Sequence, residues 1–387
     1  MKRTTSVGML ASLAMLGAGT AAGFAIPAGA AVTGPPAGSN AAAIARPAAV
    51  PHAVASQAAA HGLTVKVFAS STQSLSQPDD IVTYGRDIVT GWQNQVGADG
   101  TPGPGGVTQS TVTEQSTSGK VLHSWNITGH VDGLRGDPSN GRILATVNED
   151  AHSSLYVIRP GASAANQVRQ YQYNLPASPQ GGTDAVSIYH GQILITASNP
   201  VVPAGAAGAT APAVYKVTLS GATANVQPVF FTNSAATVAN VGAPDQGQTV
   251  QLALTDPDSN AVVPSSAPRF GGDFMLDAQG NSEQVYVKGA NGNLPQLSLL
   301  RLSQRVNDTA WATNPNGTLY VTDNADGEVF TVRGAFHTGT AYTAATPRST
   351  VAGQPNPPNY LATLNMNTGQ VTPAISTIQA EGVLFTP

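Results

Sequence analysis

Six acidic residues stand at corresponding places in this chain. Asp80, Asp132, Asp184, Asp273 and Asp308 each precede a short apolar run, a Gly/Asn turn and a second β-branched run that ends near an Asn. The intervals are 14 residues to Asn94, 16 to Asn148, 15 to Asn199, 18 to Asn291 and 16 to Asn324. Glu381, in "EGVLFTP", opens a sixth run of the same kind. Hard cations such as Ca²⁺ take several oxygen ligands from carboxylates, amides and carbonyls. Carboxylates that converge also repel, which a cation or a hydrogen-bonding ligand relieves. Asp132, Asp184, Asp308 and Glu381 are therefore the candidate metal ligands. Asp80, Asp273, Asn148, Asn199 and Asn324 are placed on the same ligand-facing side. The plainer alternative for each is turn chemistry, in which Asp and Asn bond local backbone at strand ends.

A second group could move protons. "NEDAHSS" puts Glu149, Asp150 and His152 in the loop after a second run, and His130 stands just before Asp132. A His beside a carboxylate can act as general base, so His152, His130 and Glu149 are the catalytic candidates; exposed loop histidines are the competing reading. "TDPDSN" (255–260) and "DNADGE" (323–328) resemble calcium loops, but Pro257 and Ala325 break the spacing, and both read as turns. Phosphate-loop, zinc-protease and nucleophile-elbow motifs are absent from the sequence. With no cysteine, disulfides, thiolate metal sites and Cys nucleophiles are excluded.

These residues need elements to hold them. Runs of four to six residues rich in Val, Ile, Tyr and Thr between Gly and Asn read as strands. "PSNGR", "YHGQ" and "NPNGT" read as hairpin turns. A third run often follows, as in "SLYVI", "AVYKV" and "EVFTV". Each unit is then an antiparallel meander, and a circle of such units buries their faces and protects their edges. The expected fold is an all-β β-propeller. Steps between unit starts are 52, 52, 89, 35 and 73 residues, against ~40 to 50 per blade. Six blades are expected, with seven as the alternative; the irregular steps leave an eight-bladed ring or a sandwich open. The chain ends on a first strand, so the last blade is expected to borrow "GLTVKVFAS" near the start of the domain. In such a meander the acid before the first strand and the Asn after the second share one mouth of the channel.

"VDGLRGDPSNGRILATVN" and "VNDTAWATNPNGTLYVTDNADGEVFTV" resemble blades of secreted NHL-repeat propellers and of the SMP-30/gluconolactonase group. In that group an "EGP" and an "ND" element supply ligands to a central divalent cation. The resemblance implies such roles for Glu381 in "EGV" and for Asn307-Asp308, and it covers the blade architecture over most of residues 61–387. Val383 replaces the Pro, and the Glu element stands at the C-terminus rather than near the start.

Lys2 and Arg3 precede an apolar, Gly/Ala-diluted stretch and an Ala28-x-Ala30 cleavage signal, the pattern of a signal peptide over 1–30. An uncleaved anchor is the alternative. Residues 31–60 are Ala/Pro/Gly-rich and read as a flexible linker; residues 61–387 read as the propeller. Only 10% of residues are charged, Gly (41) and Pro (28) are abundant and net charge is −4. That balance suits a turn-rich β fold and gives no basic footprint for nucleic acid. No span is expected in the mature chain, which reads as a secreted monomer. The expected function is a binding module for a small polar ligand or an extracellular partner, with Ca²⁺ or another divalent cation and no organic cofactor. The alternatives are a cation-dependent hydrolase of the lactonase type and a lyase on a cyclic ester with His152 as base.

Overall fold

Alanine is the strongest helix former, and "HAVASQAAA" forms helix α1 (His52–Ala60) in the computed structural model, which describes residues 49–174, 182–198, 211–292 and 294–387. Val54 and Ala58 bury in a cluster with Leu63, Phe330 and Ile378. Gln57 donates to Ser376 Oγ at 2.8 Å and accepts the Thr377 N–H at 3.1 Å. The linker expected over 31–60 therefore gives way to docked chain before its end. Its composition lacks large side chains, but two small apolar ones on one helical face suffice for docking. The expected signal peptide over 1–30, residues 31–48 and Asn199 lie outside the described residues. No described helix is long and apolar enough to cross a membrane.

Strand β1 (Leu63–Ser70) comes next. Strands β2–β5 (Pro78–Tyr84, Asp87–Trp92, Gln109–Gln115, Val121–Thr128) form a first antiparallel unit. Strands β6–β9 (Val131–Asp137, Arg142–Val147, Ser154–Ile158, Val168–Tyr173) form a second. Strands β10–β13 (Val186–Tyr189, Gln192–Thr196, Pro212–Ser220, Thr223–Phe231) form a third, joined to the second by parallel pairing of β13 with β9. Strands β14 and β15 (Ala235–Val238, Thr249–Gln251) extend the outer edge of a fourth unit, β16–β19 (Pro257–Val262, Phe274–Ala278, Glu283–Lys288, Gln296–Arg301). The remaining strands are β20 (Val306–Trp311), β21 (Thr318–Asp323), β22 (Glu328–Gly334), β23 (Ala341–Ala345), β24 (Tyr360–Leu364), β25 (Val371–Ile375) and β26 (Ala380–Thr386). They interleave: β20-β23-β24-β25 make a fifth unit and β26-β21-β22-β1 a sixth. Among the described residues this is an all-β propeller of six four-stranded units. The innermost strands β2, β6, β10, β16, β20 and β26 neighbour one another in that cyclic order, and β26 returns to β2.

The ring closes as expected, with β1 pairing β22 from Leu63↔Gly334 to Ser70↔Glu328. Two expected units are not units. Strands β20 and β21 lie in different sheets, because residues 312–317 carry the chain across to the neighbouring unit instead of turning it back. "GDFMLDAQGNSEQVYVK" supplies the second and third strands of its unit, β17 and β18; the first is β16, inside the stretch that read as a turn. Apolar side chains fill the wedges between units, for instance Tyr189, Leu194 and Phe230 of the third against Phe274, Leu276 and Val287 of the fourth.

Candidate functional site

Each innermost strand slips register near its start, at the same mouth of the channel. Regular pairing skips Asp79-Asp80 in β2, Asp132-Gly133 in β6, Asp258-Ser259 in β16, Asn307-Asp308 in β20 and Glu381-Gly382 in β26. Before β10, Asp184 N–H donates to Thr196 O and Thr196 N–H to Ala185 O, so Asp184-Ala185 oppose one residue in the same way. A β-bulge re-aims the side chains of the skipped residues. In all six units the first skipped residue is an acid or an Asn, and it lines the cavity at the mouth.

The second skipped position ties one unit to the next. Asp80 accepts the N–H of Ile81 and of Leu134 in the second unit. Asp308 accepts Thr309 N–H and, in the sixth unit, Val383 N–H, both at 2.7 Å. Ser259 Oγ donates to Asn307 O. Gly133 and Gly382 leave room where a Cβ would meet Ala185 Cα at 2.5 Å and Asp79 O at 2.5 Å. The other junctions are bonded by Thr146 Oγ1 to Asp184 O, Asn260 Nδ2 to Ala185 O and Thr322 Oγ1 to Asp79 O.

The cavity holds about 590 Å³, within the usual size of a small-molecule site. Asp79, Asp80, Asp132, Glu149, Asp184, Asp256, Asp258, Asp308 and Glu381 line it, nine of the chain's 21 acids, with His130 and Arg135 as the basic groups. Burial raises every one of these carboxyl groups above its ordinary range. Asp308 rises to about 6, Glu381 to about 7 and Asp80 to about 8. Asp79, Asp132, Glu149, Asp184 and Asp258 rise too, first from burial and then from neighbouring carboxylates, and burial raises Asp256 against the opposing pull of Arg305 and Arg348.

Two ligand sets emerge. His130, Asp132 and Glu149 can place one ligand atom each within 4.8 Å of one another, and so can Glu149, Asp184 and Asp258. A divalent cation fits this donor set, because Asp132 is buried and its Oδ2 takes no hydrogen bond. The set implied by the resemblance is less open. Glu381 and Asn307 do meet, but Glu381 Oε1 accepts Asn307 Nδ2 and Oε2 accepts Asn359 Nδ2, both at 2.9 Å. Asp308 spends its oxygens on backbone N–H groups.

Other sequence candidates fall into three classes. Asn324 lines the mouth and donates to Gln93 Oε1 at 3.0 Å. Asn148 and Asn94 sit at φ 68° and 54° as turn residues; Asn148 Oδ1 accepts the His130 N–H at 2.9 Å and so holds His130 in place. His152 and Asp273 are not at the site. His152 is exposed and offers only its backbone carbonyl, to Asn148 Nδ2. Asp273 precedes β17, whose Phe274 pairs with Val262 at the opposite end of β16 from Asp258. The residues missed were Asp79, Asp256 and Asp258; Asn307 had entered through the resemblance. A signal for two of these, Asp79 and Asp258, existed: "PDD", "VDG", "TDA", "PDS", "VND" and "AEG" repeat an acid or amide followed by a small or acidic residue.

No protein-family model and no curated protein matches the chain. Similar solved structures include hydrazine synthase of Kuenenia stuttgartiensis at 12% identity and TM-score 0.38, covering 76% of this chain and 68% of that one. A 6-phosphogluconolactonase-like protein of Bacteroides fragilis matches at 12% identity and TM-score 0.41, covering 84% and 83%. The WD40 propeller domain of Doa1 matches at 8% identity and TM-score 0.36, covering 80% and 85%. At these scores the likeness assigns no function, and the propeller fold rests on the strand topology.

Proposed function

We propose that this protein is an exported monomeric binding module that holds a divalent cation, and through it a small polar ligand, at the acidic mouth of its channel. The observation that carries the reading is the convergence of carboxylates on one cavity with Asp132 Oδ2 buried and without a partner. Buried like charges left uncompensated are costly, and a hard cation with several oxygen ligands offsets them. A bound cation would supply a positive centre for a ligand's hydroxyl or carboxylate oxygens. Asn324 and Gln93 at the rim add hydrogen-bonding groups. The test is thermal unfolding after chelator treatment, with Ca²⁺, Mg²⁺ or Mn²⁺ added back. A cation at 100 times its dissociation constant should stabilise the fold by about 2.7 kcal/mol. A melting temperature unmoved by all three rejects the reading. Export, for its part, requires protein recovered from the medium to start near Ala31; an intact Met1 there speaks against it.

A hydrolase of the lactonase type is the second reading. Glu381 favours it, with a carboxyl raised to about 7, where a group can both take and return a proton at neutral pH. A panel of small lactones, assayed with and without cation, separates it from pure binding. The lyase reading loses its base, because His152 lies outside the cavity.

A further inference from the structure

Resting on the cation-binding reading above, we propose that the mouth holds two cations of different chemistry that share Glu149. One position, at His130, Asp132 and Glu149, suits a transition metal such as Zn²⁺. The other, at Glu149, Asp184 and Asp258, suits Ca²⁺. Both ligand sets are compact, and Glu149 is the member common to them.

The first position is set by the hydrogen bonds around His130. Its Nδ1 meets the backbone carbonyl of Val96 and donates to it. That bond leaves the Nε2 lone pair facing Asp132 Oδ1 at 3.3 Å. Fixing the tautomer through a carbonyl is how proteins orient a metal-binding imidazole. A lone pair and an anionic oxygen at that distance repel unless a proton or a metal cation stands between them, and a cation can take both as ligands. Asp132 is 5% exposed, and its other oxygen, Oδ2, has no hydrogen-bond partner. Asn148 Oδ1 accepts the backbone N–H of His130 and Val96 O accepts its Nδ1–H, so backbone and ring are both held before any ion arrives.

The second position offers oxygen alone, the donor set of hard cations. Imidazole in the first shifts preference toward zinc and similar ions. Once ionised, Asp132, Glu149, Asp184 and Asp258 carry four negative charges, which two divalent cations would balance.

The test is titration calorimetry on the full chain stripped with chelator. Ca²⁺ is brought to saturation first, and Zn²⁺ is added second. The wild type should take up one further equivalent of Zn²⁺ with Ca²⁺ retained. His130→Gln should weaken that Zn²⁺ step at least tenfold and leave the Ca²⁺ step unchanged. Asp258→Asn should weaken Ca²⁺ at least tenfold and leave Zn²⁺ bound. Zn²⁺ displacing Ca²⁺ one for one, or Ca²⁺ binding alone, overturns the two-ion proposal and leaves the single-cation reading standing. Equal Zn²⁺ affinity in His130→Gln also overturns it. Binding of neither ion rejects the single-cation reading as well. If His130→Gln fails to fold, the Asp258→Asn titration decides, together with spin-echo spectroscopy of Cu²⁺ bound to the Ca²⁺-saturated wild type. Imidazole nitrogen coupling is expected there, and its absence overturns the proposal.

Discussion

Neighbouring positions of one bulge have opposite jobs, and substitutions should separate them. Asp308 serves two backbone N–H groups, one in its own strand and one in the next unit. Leaving a buried donor without its acceptor costs about 1–3 kcal/mol. Asp308→Ala should therefore lower stability by about 2–4 kcal/mol in chelator, measured by denaturant unfolding. Asp132 belongs to the other class, since its Oδ2 satisfies no group of the protein. Asp132→Asn removes a buried carboxyl whose Oδ2 has no partner, so the chelated protein should be no less stable than the wild type. The same change should abolish most of the gain from cation. A destabilised Asp132→Asn in chelator would show that the carboxylate is structural instead. Gly182 tests the position of Glu149 from behind. A Cβ there would fall 1.4 Å from Glu149 O, so Gly182→Ala must push that backbone aside. Cation affinity should drop at least tenfold, read by calorimetry, while the β-sheet circular dichroism stays.

At the scale of elements, the ring depends on strands that are far apart in sequence. Strand β1 covers the outer edge of β22, and α1 packs on β1 and β25. Deleting residues 49–70 should expose that edge and remove Val54, Ala58 and Phe68 from the core. An open edge invites intermolecular pairing. The truncated chain is expected to unfold at lower temperature and to associate, seen by calorimetry and light scattering; an unchanged melting point would show that closure contributes nothing. Such closure was legible, because a chain that ends on a first strand needs outer strands from elsewhere. The crossing between β20 and β21 was not. "NPNGT" carries the same turn residues whether the chain doubles back or steps to the next unit, since turn chemistry is local and strand partners are not. The same limit hid β16. "TDPDSN" reads as a turn from its Pro and Asp residues, yet its bulged strand tolerates both where ladder pairing is already broken. Matched acid-to-Asn intervals thus found the innermost position in the second and third units. In the first unit they found the neighbouring bulge residue, and in the fourth they pointed to the wrong end of the channel.

Across the whole molecule, six bulges aim polar groups at one cavity, so the cation-free fold works against the charge it concentrates. The consequence is a pH dependence of definite sign. Asp308, Glu381 and Asp80 rise in the folded protein to about 6, about 7 and about 8, from reference values of 3.8 for Asp and 4.5 for Glu. Between the unfolded and folded values the native state holds more protons than the unfolded chain, so its stability falls as pH rises. Their contribution is greatest below about pH 4 and declines up to about pH 8. In chelator, the denaturation midpoint should therefore decrease steadily from pH 5 to pH 8. Saturating Ca²⁺ should reduce that slope, because a cation held by the neighbouring Asp132, Glu149, Asp184 and Asp258 favours the ionised form of the other carboxyls in the same cavity. The difference between the two curves should then widen with pH and be smallest near pH 5. Denaturant titrations at four pH values, with and without Ca²⁺, read this directly. Parallel curves would mean that the acids and the cation do not share the mouth. A cation-free midpoint that rises with pH would mean that ionised carboxylates are already compensated within the fold, and the charge argument for a cation would fail with it.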